Sequence, residues 1–151
     1  MIATLPQLAP LYFDFVESSY GFRRVLSTET TVRWETDRVF VQIQYDATRS
    51  FEVGLEIGQI TIAALRLVPP YSLREMVGVG GVAFADRPFF QASTEERLKA
   101  ALEKIARLLL QHGNKLLADD AEAFKSIARQ REEDCALYAS RHTPRGRKGK
   151  P

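Results

Sequence analysis

Between Val32 and Ile57 apolar and polar residues take turns, first in Val32-Arg-Trp-Glu35, then in Val39-Phe-Val-Gln-Ile-Gln-Tyr45, then in Phe51-Glu-Val-Gly-Leu-Glu-Ile57. Strand side chains point to opposite faces with period two, so the pattern calls for strands dry on one side and wet on the other. The dry face takes Val32, Trp34, Val39, Val41, Ile43, Tyr45, Phe51, Val53, Leu55 and Ile57. The wet face takes Arg33, Glu35, Gln42, Gln44, Glu52 and Glu56, with Phe40 as an aromatic among them. Wetting of one face alone belongs to antiparallel sheets, because parallel sheets are buried on both sides. Thr36-Asp37-Arg38 and Asp46–Ser50 are short polar breaks that predict hairpin turns. Phe22–Thr28 precedes them as a further strand, with Phe22, Val25 and Leu26 as core candidates. The expected sheet is therefore an antiparallel meander of four strands.

Helical spacing flanks this meander. Leu8, Leu11, Tyr12, Phe15, Val16 and Ser19 predict a helix over 7–20, with Gly21 placed for a left-handed cap. Pro6 or Pro10 falls in its first turn, where a missing N–H costs little. Ile60–Val68 allows either a short strand or a helical turn, and Pro69-Pro70 stops it. Ser72 and Glu75 have the spacing of a capping box for a short helix over about 73–77. Ser93 or Thr94 then caps a long helix whose stripe is Leu98, Ala101, Leu102, Ile105, Leu108, Leu109 and His112. Gly113-Asn114 stops it, and Asp119 or Asp120 caps a second long helix with Phe124, Ile127 or Ala128, Arg131, Cys135 and Tyr138 on its stripe. Arg131 interrupts that stripe, while Cys135 reads as a small core residue. The short link predicts an antiparallel helix pair packed on the dry face of the sheet. The fold class is α+β, as one domain over 1–140.

Charge matters here through its distribution. Five of the 21 basic residues, Arg141, Arg145, Arg147, Lys148 and Lys150, lie in the last eleven positions, which hold no acid. The other 140 residues carry 16 basic against 19 acidic side chains, so the body is mildly acidic. A positive total is therefore no argument for nucleic-acid binding by the fold itself. Residues 141–151 lack an apolar anchor and read as a disordered basic tail. That tail is the candidate nucleic-acid contact, through phosphate and not bases, because no aromatic is interleaved for stacking. No apolar run approaches the length of a membrane span, and the opening residues lack the basic region of a secretion signal. A cytoplasmic location is expected.

No catalytic constellation emerges. Val77-Gly-Val-Gly-Gly-Val-Ala-Phe84 has glycines but neither the preceding strand, the following lysine, nor the adjoining helix start that a phosphate loop needs. His112 and His142 are thirty residues apart, and Cys135 has no second ligand at metal spacing. Glu132, Glu133 and Asp134 beside Cys135 oppose a thiolate, and adjacent carboxylates on one helix do not face each other. No metal or cofactor is implied. Two surfaces remain. One is the wet sheet face with Arg33, Glu35, Phe40, Gln42 and Gln44. The other is the glycine-hinged stretch with Phe84, Phe89 and Phe90, aromatics of the kind that anchor interfaces.

The order Phe15-Val-Glu-Ser-Ser-Tyr-Gly-Phe22, then Val32-Arg-Trp-Glu35, then Val39–Asp46 resembles a type of small bacterial protein. These have a leading helix ending in Gly-Phe, a meander with a Tyr-Asp turn and a helical end. Some resemble immunity proteins that bind and block a cognate toxin. The resemblance spans roughly residues 8–60 and implies no catalytic residues. The lack of a catalytic constellation, the sheet platform and the aromatic loop together lead to the expectation of a non-catalytic, protein-binding role, and the basic tail supplies the alternative, a nucleic-acid-associated accessory subunit.

Overall fold

The computed structural model describes residues 4–61, 65 and 68–142. Two short helices open it, α1 (Leu5–Tyr12) and α2 (Asp14–Ser18). Strands β1 (Arg23–Ser27), β2 (Thr31–Glu35), β3 (Val39–Tyr45) and β4 (Glu52–Gln59) follow as an antiparallel meander, as the alternation requires. After it come β5 (Tyr71–Ser72), α3 (Leu73–Val79), β6 (Phe90–Gln91), α4 (Glu95–His112), α5 (Asn114–Leu117) and α6 (Ala121–His142). The fold is α+β. The sheet has six strands and not four. Both β5 and β6 pair antiparallel with β4, at Glu56–Ile57 and at Glu52–Val53 respectively. A two-residue strand carries no alternation, and β4 is long enough to seat both on its free edge.

The register stacks the dry rows as expected. Trp34 faces Val41, which faces Ile57, and Val32 faces Ile43, which faces Leu55. All six are buried. Phe13 lies over Trp34 with ring centres 5.7 Å apart, and the Trp34 indole N–H donates to Glu17 at 3.2 Å. Phe13 reaches this place because the leading helix is broken there, with φ −114° and ψ 20° at that residue. Pro10 inside α1 has no N–H to give the carbonyl four residues back, which weakens the helix shortly before the break. The single helix expected over 7–20 is thus two. Gly21 is left-handed at φ +74°, as its place predicted.

Phe22 is buried, but Val25 and Leu26 are 49% and 43% exposed, and no residue of β1 is buried. Helix α1 packs on β2, and the outermost strand stands beyond it. A register shift between Arg24 and Leu26 adds a bulge at Val25.

In the helical half Ser72 accepts from the Glu75 N–H, whose side chain accepts from the Ser72 N–H, so the capping box is formed. Thr94 accepts from Arg97 N–H and starts α4, and Asp120 accepts from the N–H groups of Glu122 and Ala123 at the start of α6. The two long helices were expected as a mutual pair. Instead α4 packs on α1, α3, β4 and β6, while α6 packs on α3 and α5, so short α3 takes contacts from both. Cys135 and Tyr138, expected on the far side of the Arg131 interruption as part of the stripe, are exposed. Helix α6 meets the body through Phe124, Ile127, Arg131 and Asp134, and further along Leu137, Tyr138 and Arg141 line a small pocket with Phe84. Arg141 and His142 are still helical; 143–151, read as tail, and most of the Ile60–Val68 segment lie outside the described residues. Among the described residues no helix is long and apolar enough to cross a membrane.

Candidate functional site

The wet face of β2, β3 and β4 is a set of cross-strand rows. Arg33 faces Gln42, which faces Glu56, and Ser72 of β5 continues that row. Glu35 faces Phe40, which faces Gly58. Thr31 faces Gln44, which faces Gly54. These residues come together because the hairpin turns keep the period-two phase through all three strands. Thr36 holds the first turn by accepting from the Val39 N–H at 3.0 Å. Asp46 holds the second by accepting from the N–H groups of Thr48, Arg49 and Ser50 at 3.1–3.3 Å. Those backbone donors hold its carboxyl pKa down at about 2, so Asp46 stays charged at any physiological pH.

A hydrogen-bonded chain runs across the face. Arg33 Nε donates to Glu35 at 2.7 Å and its Nη1 to Gln42 at 3.3 Å, and Gln42 Nε2 donates to Glu56 at 2.9 Å. Each member orients the next, so four side chains from three strands are set before anything binds. The arginine also lies over Phe40, 3.9 Å from its ring centre, the geometry of a cation–π contact. Phe40 is only 1% exposed, with Gly58 against its ring. The expected exposed aromatic is thus a buried one. Its place in the polar phase was legible, but the pocket is made by an arginine above and a strand glycine beside it. A glycine inside a strand signals close approach of another group, and Gly58 is such a case.

Next to the chain the face opens into a cleft of about 550 Å³. Gly54 lies in it, and a β-carbon built there would meet nothing within 4 Å. The lining holds Asp46, Glu52 and Glu56, with Thr31, Gln44 and Ser72, and among the described residues no lysine, arginine or histidine. Gln44 and Glu52 are exposed. Sequence reasoning placed Gln44, Glu52 and Glu56 on this face but missed the depression that Gly54 makes.

The three phenylalanines of the glycine-hinged stretch do not form one exposed cluster. Phe84 is half-buried beneath the guanidinium groups of Arg74 and Arg87, and Phe90 sits in β6 against the core. Phe89 alone of the three is largely exposed, at 56%. Arg87 itself is buried and paired with Asp134 by bonds of 2.6 and 3.0 Å. Burial alone would raise the Asp134 pKa, but hydrogen bonds from Arg87 and Gln130 outweigh it and hold it below the ordinary carboxylate value. This pair fastens α6 to the loop after α3.

His112 is half-buried at the C-terminus of α4, in a smaller cavity of about 200 Å³ with Met76, Lys115 and Ile127. Among the described residues no three His, Cys, Asp or Glu side chains are placed to hold a metal ion. Of the basic stretch, Arg141 is exposed on the last turn of α6; Arg145, Arg147, Lys148 and Lys150 lie outside the described residues. No family model, curated protein or solved structure matches the chain.

Proposed function

We propose that this is a non-catalytic, cytoplasmic bacterial protein that binds another protein through the polar face of its sheet. The supporting observation is the chain Glu35–Arg33–Gln42–Glu56, with Arg33 anchored on Phe40. Side chains already held in place lose little rotamer freedom on association, so a polar face of this kind binds at lower entropic cost than a loose one. Charges of both signs in fixed positions select a matching partner more than they add raw affinity. The resemblance at residues 8–60 extends the proposal to neutralisation of a toxin.

The test is capture of the partner from host lysate by the tagged full chain, beside a variant carrying Thr31→Arg and Gln44→Arg. Both substitutions lie on the face and leave the hydrogen-bonded chain intact. Loss of one stoichiometric protein from the variant supports the proposal. Equal retention by both forms removes the sheet face as the site. Recovery of nucleic acid alone, released by salt, favours the basic C-terminal stretch as the working part.

A further inference from the structure

Resting on that assignment of the face, we infer that the partner places a basic segment, with arginine or lysine side chains, in the cleft over Gly54. Three observations carry this. The first is charge, because the lining holds three carboxylates and, among the described residues, no cationic side chain. One of them, Asp46, stays ionised down to about pH 2 because its own loop solvates it with three backbone N–H groups. The second is shape. Gly54 leaves the floor without a side chain, and the space above it is empty at van der Waals distance.

The third is spacing. Glu52 and Glu56 lie four residues apart on β4, on the same side of the sheet as Gly54. At about 3.3 Å per residue their Cα atoms are roughly 13 Å apart. Two carboxylates at that distance do not converge on one metal ion, which needs its oxygens within about 2–2.6 Å. They suit an extended cationic chain that meets one acid at each end and crosses the glycine between. Gln42 already fixes Glu56, and Thr31, Gln44 and Ser72 supply neutral hydrogen-bonding groups along the way.

The test is a titration of the ¹⁵N-labelled full chain, at low salt, with the peptide acetyl-Gly-Arg-Gly-Gly-Gly-Lys-Gly-amide, whose two cations are four residues apart like the two acids. The peptide acetyl-Gly-Glu-Gly-Gly-Gly-Asp-Gly-amide is the control. Saturable shifts of the Gly54, Gln44 and Glu56 amides with the basic peptide only, weakened by salt, are expected. Gly54→Val should weaken that binding about tenfold or more by filling the floor, and Glu52→Gln should weaken it less. A β-carbon at this position meets nothing within 4 Å, and the amide spectrum of the variant before titration checks that it keeps its fold. Absent or unsaturable shifts overturn the inference, as does unchanged binding by Gly54→Val. Movement of the Gly54 amide without peptide, on changing Arg141, Arg145, Arg147, Lys148 and Lys150 to glutamine, makes the chain's own basic end the occupant and overturns an external one. If lysate capture depends on Thr31 and Gln44 while the basic peptide is ignored, the binding face stands and only its cationic occupant falls. If the peptide binds over Gly54 but capture ignores those two residues, the reverse holds.

Discussion

Arg131 closes the capping box of a helix to which it does not belong. Its Nε and Nη2 donate to the two carboxylate oxygens of Glu75 at 2.6 and 2.8 Å, and Glu75 also accepts from the Ser72 N–H. The same guanidinium donates to the carbonyls of Pro69 and Pro70 at 2.7 Å and stacks 4.3 Å from the Tyr71 ring centre. One side chain thereby joins α6, α3 and the segment before β5. Arg131→Met should lower the unfolding free energy by about 2–4 kcal/mol, since Glu75 and two carbonyls lose their donors together. Arg131→Lys should recover only a minor part, because an ammonium lacks the planar fork. Urea denaturation of the three proteins measures this, and a loss for Arg131→Met below about 0.5 kcal/mol would reduce the contact to an ordinary surface ion pair.

Two glycines of one strand should respond oppositely to the same change. A β-carbon on Gly58 would meet the Phe40 ring at 2.8 Å, whereas one on Gly54 meets nothing within 4 Å. Gly58→Ala should destabilise by about 1–3 kcal/mol through overpacking. Gly54→Ala should be neutral or stabilising by up to about 1 kcal/mol, since glycine in a strand interior costs conformational entropy. Thermal unfolding of both variants checks the pair, and equal melting temperatures would contradict the packing around Phe40.

Gly78 and Asp134 should be energetically coupled although 56 positions separate them in the chain. A β-carbon on Gly78 would meet the Arg87 guanidinium at 2.5 Å, and that guanidinium is the one held by Asp134. Gly78→Ala and Asp134→Asn should each destabilise. The double variant should fall short of the sum by about 1 kcal/mol or more, because the first change already displaces what the second releases. Simple additivity in a double-mutant cycle would show that the arginine moves aside without losing its partner.

Asp46 predicts a defined acid sensitivity. Its pKa falls from 3.8 to about 2 on folding, through hydrogen bonds from the N–H groups of Thr48, Ser50 and Arg49. A depressed carboxylate stabilises the fold fully above its unfolded value and loses that contribution as pH falls through the folded one. Asp46→Ala should therefore melt lower than the parent near neutral pH, with the difference shrinking between about pH 4 and pH 2. Melting curves across that window test it, and a gap that does not change with pH would mean that the loop is held by something other than the carboxylate.

Much of the fold was legible because it rests on local chemistry. The alternation from Val32 to Ile57 fixed which rows are dry, and Ser72, Thr94 and Asp120 cap their helices as their spacing implied. What was not legible depends on partners distant in sequence. Arg131 looks like a flaw in an apolar stripe until Glu75 is seen opposite it, 56 residues earlier. Phe40 looks exposed until Arg33 and Gly58 enclose it. Strands β5 and β6 are two residues each, too short for any periodicity. At the candidate site the polar residues could be named in advance. The depression could not, since it is made by the side chain that Gly54 lacks.

The exposed first strand also has a kinetic consequence. β1 buries no side chain, carries a bulge at Val25 and, among the described residues, pairs with no strand but β2. Little beyond its ladder hydrogen bonds opposes its detachment, so the sheet should open from this side while the core stays closed. Trp34 sits one strand inward, fully buried under Phe13. Its fluorescence reports the core and would miss that first opening, whereas amide exchange along Arg24–Ser27 would register it well before the protein unfolds.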